Sequence, residues 1–108
     1  MRSDEFEAIF EKQVELCREV LVSKAREYAT SDRLHNFRVA ATLQQESPAQ
    51  ALAGMLAKHI VSIFDMVADD GYYTVDQWDE KIGDALNYLF LLKAVVLEGR
   101  GLDVNSRS

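Results

Sequence analysis

The sequence has 108 residues, of which 48% are apolar and 28% charged, and its formal net charge is −6. This length and composition indicate one globular domain and exclude a disordered tail, a coiled rod and a collagen-like chain. The single cysteine, Cys17, excludes an internal disulfide framework and a cysteine-rich zinc site. The acidic balance argues against nucleic-acid binding, because phosphate neutralisation needs clustered Lys and Arg.

The sequence shows no export or membrane signal. No apolar run approaches the roughly 20 residues that span a bilayer. The N-terminus becomes acidic at Asp4 and Glu5, where a signal peptide would need an apolar core. We therefore expect a cytoplasmic protein that has no membrane partner.

Helical periodicity dominates the first half of the chain. A long helix is predicted over residues 4–29, with Ser3 placed to cap its start. A polar connector over residues 29–35 leads to a short helix over residues 36–45. The stripe that the first helix is expected to bury contains Phe6, Phe10, Cys17, Leu21 and Tyr28.

Two longer helices with clear start signals are predicted in the second half. Ser47 and Pro48 are typical of an N-cap followed by a first-turn proline. Thr74, with Gln77 three residues later, predicts a capping box for the last helix. This helix is expected to end at Gly99, which suits a left-handed C-terminal cap.

The last helix is apolar around most of its circumference. Ile82 and Leu89 lie on one side of it, while Leu91 and Val95 lie broadly opposite. A helix that is apolar all round is buried all round, and a chain of this length has few helices to surround it. We therefore expect a second subunit to cover part of it, in a dimer or higher homo-oligomer.

The predicted fold is a single all-α domain over residues 1–98. It is a helical bundle of three long helices and one short helix, completed by oligomerisation. Residues 99–108 are polar and are expected to form a disordered tail.

Polar residues interrupt the face of the last helix that carries Leu91. Glu80, Asp84 and Asn87 are spaced at i, i+4 and i+7. Two carboxylates one helical turn apart repel each other, and the repulsion grows as water is withdrawn. Such a pair persists on a solvated helix start, beside Lys or Arg, or around a divalent cation, and hard oxygen ligands suit Mg²⁺ or Mn²⁺ better than zinc.

The preceding helix offers partners for these carboxylates. Lys58 and Asp65 lie on its polar flank, and His59 lies within its apolar stripe. Antiparallel pairing across a short turn would bring them opposite Glu80 and Asp84. The arrangement predicts a site for phosphate and metal, with Asp65, Glu80 and Asp84 as metal ligands; the alternative is a core histidine with one hydrogen bond.

Two further polar residues stand near predicted core residues. Lys24 falls within the stripe of the first helix, where it would either snorkel to solvent or enter a polar cleft. Asn36 precedes an apolar anchor and could be a helix cap instead. Burying so many polar groups is unfavourable by several kcal/mol unless they satisfy one another or a ligand. The predicted ligand- and phosphate-binding residues are Lys24, Tyr28, Asn36, Lys58, His59 and Asn87.

These residues fall in recognisable segments. The segments are Lys24-x-x-x-Tyr28, Asn36-Phe37, Gly54-Met55-x-x-Lys58-His59-x-x-Ser62-Ile63-x-Asp65, and Trp78-x-Glu80-Lys81-Ile82-x-Asp84-x-x-Asn87-Tyr88-Leu89. Over roughly residues 20–98 the chain resembles a family of small phage and prophage proteins. More remotely it resembles the all-α nucleoside triphosphate pyrophosphohydrolases of the MazG and dimeric dUTPase type.

The resemblance implies an oligomeric, Mg²⁺-dependent helical protein acting on a nucleotide in a bacterial host cell. The pyrophosphohydrolase signature is Glu-x-x-Glu on one helix and Glu-x-x-Asp on the next. Here the second motif would be Glu80-x-x-x-Asp84, and the first would be Asp65-x-x-x-Asp69, so both differ in spacing. Fold similarity is therefore better supported than catalytic similarity.

Three functions follow from these patterns. In the first, Glu80 and Asp84 are catalytic and, with Asp65, hold Mg²⁺ against a nucleotide whose phosphates Lys58 or Lys24 neutralises. In the second, the oligomer binds a nucleotide without chemistry and sequesters a host defence signal. In the third, it is an interaction protein that acts on a host protein.

Overall fold

Four α-helices form most of the structure, a computed structural model that describes residues 1–23 and 32–106. Within these residues no strand occurs, so the prediction of an all-α fold is confirmed. The first helix, α1 (Ser3–Arg18), continues directly into one π-helical turn, Glu19–Ser23. The α-helices are α1 (Ser3–Arg18), α2 (His35–Gln44), α3 (Pro48–Ala68) and α4 (Val75–Gly99).

The starts of α3 and α4 are fixed by capping boxes, of which the sequence predicts the one at Thr74 as a box and the one at Ser47 only as an N-cap. Ser47 Oγ accepts a hydrogen bond from the Gln50 backbone N–H at 3.1 Å, and Gln50 Oε1 accepts one from the Ser47 N–H at 2.8 Å. Thr74 and Gln77 make the same reciprocal pair at 3.2 and 2.8 Å. Each box satisfies two N–H groups that a helix start otherwise leaves unpaired.

Two predicted helix ends are wrong in detail. Ser3 is the first helical residue and not the cap, since the N-cap is Arg2 and makes no side-chain capping bond. Gly99 is still helical, and the left-handed position is Gly101, with φ of 66°. The Leu102 N–H donates to the Leu97 carbonyl at 2.8 Å, which closes the helix in a Schellman motif.

The helices pack in the order α1, α4, α3, α2, with α4 between α1 and α3. At one end, which we call the packed end, α2 meets the N-terminal half of α3 and the C-terminal half of α4. Its core side chains are Leu34, Phe37, Leu52 and Val95. Val95 and its half-buried neighbour Leu91 face this core. The face of α4 that carries these two residues is therefore covered by α2 and α3 of the same chain.

The other end of the bundle is formed by the N-terminal half of α1, the C-terminal half of α3 and the start of α4. Gln13 of α1 contacts Asp79, and later in the chain Leu21 lines a cavity with Phe90. Helix α1 therefore runs in the same direction as α4, and its first half extends toward the start of α4. We call this the open end, because exposed apolar side chains gather there: Phe6, Phe10, Val61, Phe64, Val67 and Val75.

The chain exposes more surface than its size requires. Its accessible area is 8,219 Å², whereas a folded monomer of 12.2 kDa is expected to expose about 6,100 Å². Its radius of gyration is 16.0 Å, against about 13 Å for a compact domain of this length. The chain alone is therefore incompletely packed.

Helix α3 is long and apolar enough to be a membrane-length segment, although the sequence analysis expects no apolar run of that length. It has 21 residues and a mean hydropathy of 1.5 over its most apolar window, so by length and composition it could cross a bilayer. It is the one such helix in the part of the chain that the structure describes. A helix in the interior of a soluble bundle passes the same test, so this property alone does not decide the location of the protein.

Candidate functional site

A cleft of about 290 Å³ opens between α1 with its π-helical turn and the N-terminal half of α4. Three of the predicted site residues, Glu80, Asp84 and Asn87, line it together. Their spacing along α4 places them on one face, and that face looks toward α1. The polar side chains of its lining are Glu19, Asp76, Asp79, Glu80, Asp84 and Asn87.

The floor of the cleft depends on a close approach between α1 and α4. Gln13 Nε2 donates to the backbone carbonyl of Asp79 at 3.4 Å. A Cβ atom on Gly83 would lie 3.3 Å from the same Nε2, closer than most side-chain contacts. Because glycine has no side chain, α1 can pack closely against α4 at Gly83, and the space beside Asp84 stays open.

The charge of the cleft has one sign. Four carboxylates come from α4, at Asp76, Asp79, Glu80 and Asp84, and a fifth comes from Glu19. Among the described lining residues there is no Lys or Arg. Such a surface attracts a divalent cation and repels a bare phosphate.

Asn87 is the one buried polar residue of the described chain, with 7% of its surface exposed. Its side-chain Oδ1 has no hydrogen-bond partner. An unsatisfied buried acceptor is unfavourable by about 1–3 kcal/mol. A core position would ordinarily carry an apolar residue instead, so this amide on the wall of an acidic cleft is a candidate ligand-binding group.

His59 reaches the same carboxylate from α3. Its Nδ1 lies 3.9 Å from Asp84 Oδ2, an ion pair when the imidazole is protonated. The imidazole ring also packs on Tyr88, with ring centroids 4.9 Å apart and planes 35° from parallel. Antiparallel packing of α3 on α4 thus holds His59 against Asp84, which lies between the imidazole and the cleft.

The remaining predicted site residues lie elsewhere. Lys58 and Asp65 are exposed on α3, and Asn36 is exposed in the first turn of α2. None of the three lines the cleft. Lys24 and Tyr28 lie outside the described residues.

The predicted grouping of Asp65 with Glu80 and Asp84 is not seen. Within residues 1–23 and 32–106, no three His, Cys, Asp or Glu side chains are grouped so that they could hold a metal ion. The pair on α4 shares its cleft with acidic residues that sequence reasoning missed. Asp76 and Asp79 precede Glu80 at helical spacing and could have been found by extending that pattern, whereas nothing in the sequence marks Glu19.

Comparisons with known proteins provide no relative. No family model, no curated protein and no solved structure matches this chain. The function is therefore inferred from the geometry and charge of the cleft.

Proposed function

We propose that the cleft between α1 and α4 binds the phosphates of a nucleotide together with Mg²⁺. The observation that carries this proposal is the shared location of Glu80, Asp84 and Asn87 in one cleft, where the buried Asn87 oxygen has no partner. The carboxylates bind the cation side of the ligand. The Oδ1 atom of Asn87 accepts a hydrogen bond from a donor group of the ligand that reaches the wall.

The donor set fits Mg²⁺ without a third protein carboxylate. Mg²⁺ keeps several of its waters and is commonly bound by one or two carboxylates together with substrate phosphates. Glu80 and Asp84 are such a pair, one helical turn apart. The volume of about 290 Å³ exceeds what an ion alone needs and approaches the lower range of small-molecule sites.

The acidic lining explains why the ligand enters with its cation. A nucleotide phosphate would be repelled by the four carboxylates of α4, whereas a magnesium complex carries less negative charge toward them. Lys58 is exposed and lies outside the cleft lining, and Lys24 stays a predicted phosphate ligand. The resemblance to MazG-type pyrophosphohydrolases points to the same ligand class.

Hydrolysis of a phosphoanhydride is the reaction that this arrangement favours. When bound, Mg²⁺ polarises phosphoryl oxygens and lowers the pKa of its water. Glu80 and Asp84 hold the cation side of the ligand, and His59 orients Asp84 from the opposite side. Asn87 fixes the ligand in the low-dielectric part of the cleft.

A second candidate is binding without turnover, in which the protein sequesters a host nucleotide. The absence of a grouped third carboxylate among the described residues favours this function. Both candidates use the same cleft and differ only in whether the nucleotide is recovered unchanged.

Calorimetry with a panel of canonical and modified nucleotides tests the proposal, in Mg²⁺ and again in excess chelator. We expect saturable binding only with Mg²⁺, weakened about tenfold or more in Asp84→Asn because one direct ligand charge is lost. Asp70→Asn removes the same charge from an exposed turn and is the matched control. Asp65→Asn distinguishes the cleft from the metal triad predicted by sequence, since only the triad requires Asp65.

Analysis of the titrated samples for phosphate or pyrophosphate then separates hydrolysis from sequestration. If no nucleotide of the panel binds in Mg²⁺, the proposal is wrong for both candidates. If binding survives in chelator, the cation has no role in it.

We also propose that the bundle is MazG-like and is completed by a second copy of the chain. The second copy is supported by the accessible surface, which exceeds that of a packed monomer by about 2,000 Å². The MazG-like bundle is supported by the resemblance of the sequence alone. The same surface supports the third hypothesis, a protein that docks on a host protein.

A further inference from the structure

We infer that two copies of this chain associate through their open ends, so that each covers the projecting half of α1 in the other. This inference rests on the proposed oligomerisation and is independent of nucleotide binding. The open end is thereby identified as the contact surface between the copies. The apolar character of α4 alone does not identify that surface.

The apolar stripe of α1 is covered at one end and bare at the other. Phe6, Phe10 and Cys17 recur at helical spacing and share one face. Cys17 is 4% exposed against α4, whereas Phe6 is 61% and Phe10 54% exposed. Every residue from 1 to 12 is exposed. The same face of one helix therefore passes from core to open surface.

Helices α3 and α4 add exposed apolar side chains at the same end. Val61, Phe64 and Val67 project from the C-terminal half of α3, and Val75 begins α4. The short turn between α3 and α4 places these residues at the end toward which α1 extends. Isolated apolar residues on a surface are ordinary, but the face of α1 that carries Phe6 and Phe10 is a continuous apolar strip, and such a patch marks an interaction site.

The exposed surface of the whole chain is large enough to supply a dimer interface. The excess of about 2,000 Å² per chain exceeds the roughly 800 Å² that each partner buries in a standard interface. It falls in the range of obligate homodimers, whose interfaces resemble a divided core. The projecting half of α1 is also too short to be stable as an isolated helix, so a partner that covers it contributes to its order.

A second copy fits this surface better than a membrane does. Insertion of α3 would bring Lys58 and Asp65 into the bilayer, each at a cost of several kcal/mol. It would also separate His59 from Asp84 and Tyr88. The chain carries a net charge of −6, which an anionic lipid surface repels. Another copy offers the same apolar side chains and closes by two-fold symmetry.

The test is the oligomeric state of the full chain and of surface variants, measured by analytical ultracentrifugation over a concentration series. We expect the wild type to be a dimer, and Phe6→Ser/Phe10→Ser to associate about 100-fold more weakly or to be a monomer. Leu43→Ser removes a side chain that is 79% exposed on α2, outside the open end, and is expected to leave the dimer unchanged.

Circular dichroism verifies that each variant is folded, which is expected because all the substituted side chains are exposed. A wild type that is monomeric at about 100 µM overturns both the inference and the proposed oligomerisation. A wild-type oligomer that Phe6→Ser/Phe10→Ser does not weaken overturns the inference alone. Flotation of the wild type with zwitterionic vesicles would identify a lipid surface as the occupant and would also overturn it. Nucleotide titration of the wild type reports on the cleft separately.

Discussion

The packed end and the open end are built from the same kind of sequence and differ in what covers them. Leu52 of α3 is 0% exposed at the packed end, while Phe6 of α1 is 61% exposed at the open end. Both belong to apolar stripes that periodicity assigns to an interior. Periodicity therefore identifies a face that needs covering, and it does not say whether the chain itself or another copy provides the cover.

The largest effect is expected at the packed end. Leu52→Ala removes a fully buried side chain and leaves a cavity, so the free energy of unfolding should fall by about 2–5 kcal/mol. Leu43→Ala, on the exposed surface of α2, should change it by less than about 0.5 kcal/mol. Urea unfolding followed by circular dichroism measures both, and equal losses would show that the packed end is not the folding core.

At the open end, the loss of stability that a substitution causes should depend on protein concentration. If a second copy covers this surface, the wild-type melting temperature rises with concentration, because association stabilises the folded state by mass action. In Phe6→Ser/Phe10→Ser the melting temperature should be independent of concentration, and at high concentration it should lie below that of the wild type. Calorimetric scans over a hundredfold dilution measure this difference. A wild-type value that does not move on dilution contradicts the comparison.

Asn87 lies between the two ends. Its replacement by an apolar residue should make the protein more stable and should abolish nucleotide binding. Asn87→Leu replaces an unsatisfied buried amide by an apolar group of similar size, and we expect the protein to be more stable by about 1 kcal/mol. The same variant should lose Mg²⁺-dependent nucleotide binding. Asn105→Leu, at an exposed position, should change neither property. Destabilisation by Asn87→Leu would mean that the amide has a structural role.

The smallest effect compares the two capping boxes. Ser47→Ala at the start of α3 should lower the free energy of unfolding by about 1 kcal/mol, since this cap lies at the packed end. Thr74→Ala should have a smaller effect on global unfolding and a larger effect on local opening, because the start of α4 lies at the open end. Hydrogen exchange of the first turns of α3 and α4 separates the two, and identical global losses would count against the difference between the ends.

How far the sequence predicts the structure depends on how local each signal is. The starts of α3 and α4 were predicted correctly because Ser47 and Thr74 act through residues three positions away. The C-terminus of α4 was misplaced because either of two nearby glycines could take the left-handed position, and the structure uses Gly101. The exposure of Phe6 was not predictable, because it depends on where α1 lies relative to α4.

The candidate site was predictable only along one helix. Glu80, Asp84 and Asn87 share a face of α4 by spacing alone, and the structure brings them into one cleft. Their predicted neighbours on α3 required a guess about which side of that helix faces α4. His59 does face α4, and Asp65 is exposed. The contribution of α1 could not be predicted at all, because no local pattern records which helix packs against which.

The most direct test of the cleft is the two-dimensional amide spectrum of the ¹⁵N-labelled protein during titration with a nucleotide and Mg²⁺. Saturable shifts of the Asn87 side-chain amide and the Gly83 backbone amide, lost in excess chelator and in Asp84→Asn, are the predicted result. Shifts confined to the packed end, or shifts at Asn87 that persist without Mg²⁺, would contradict the account.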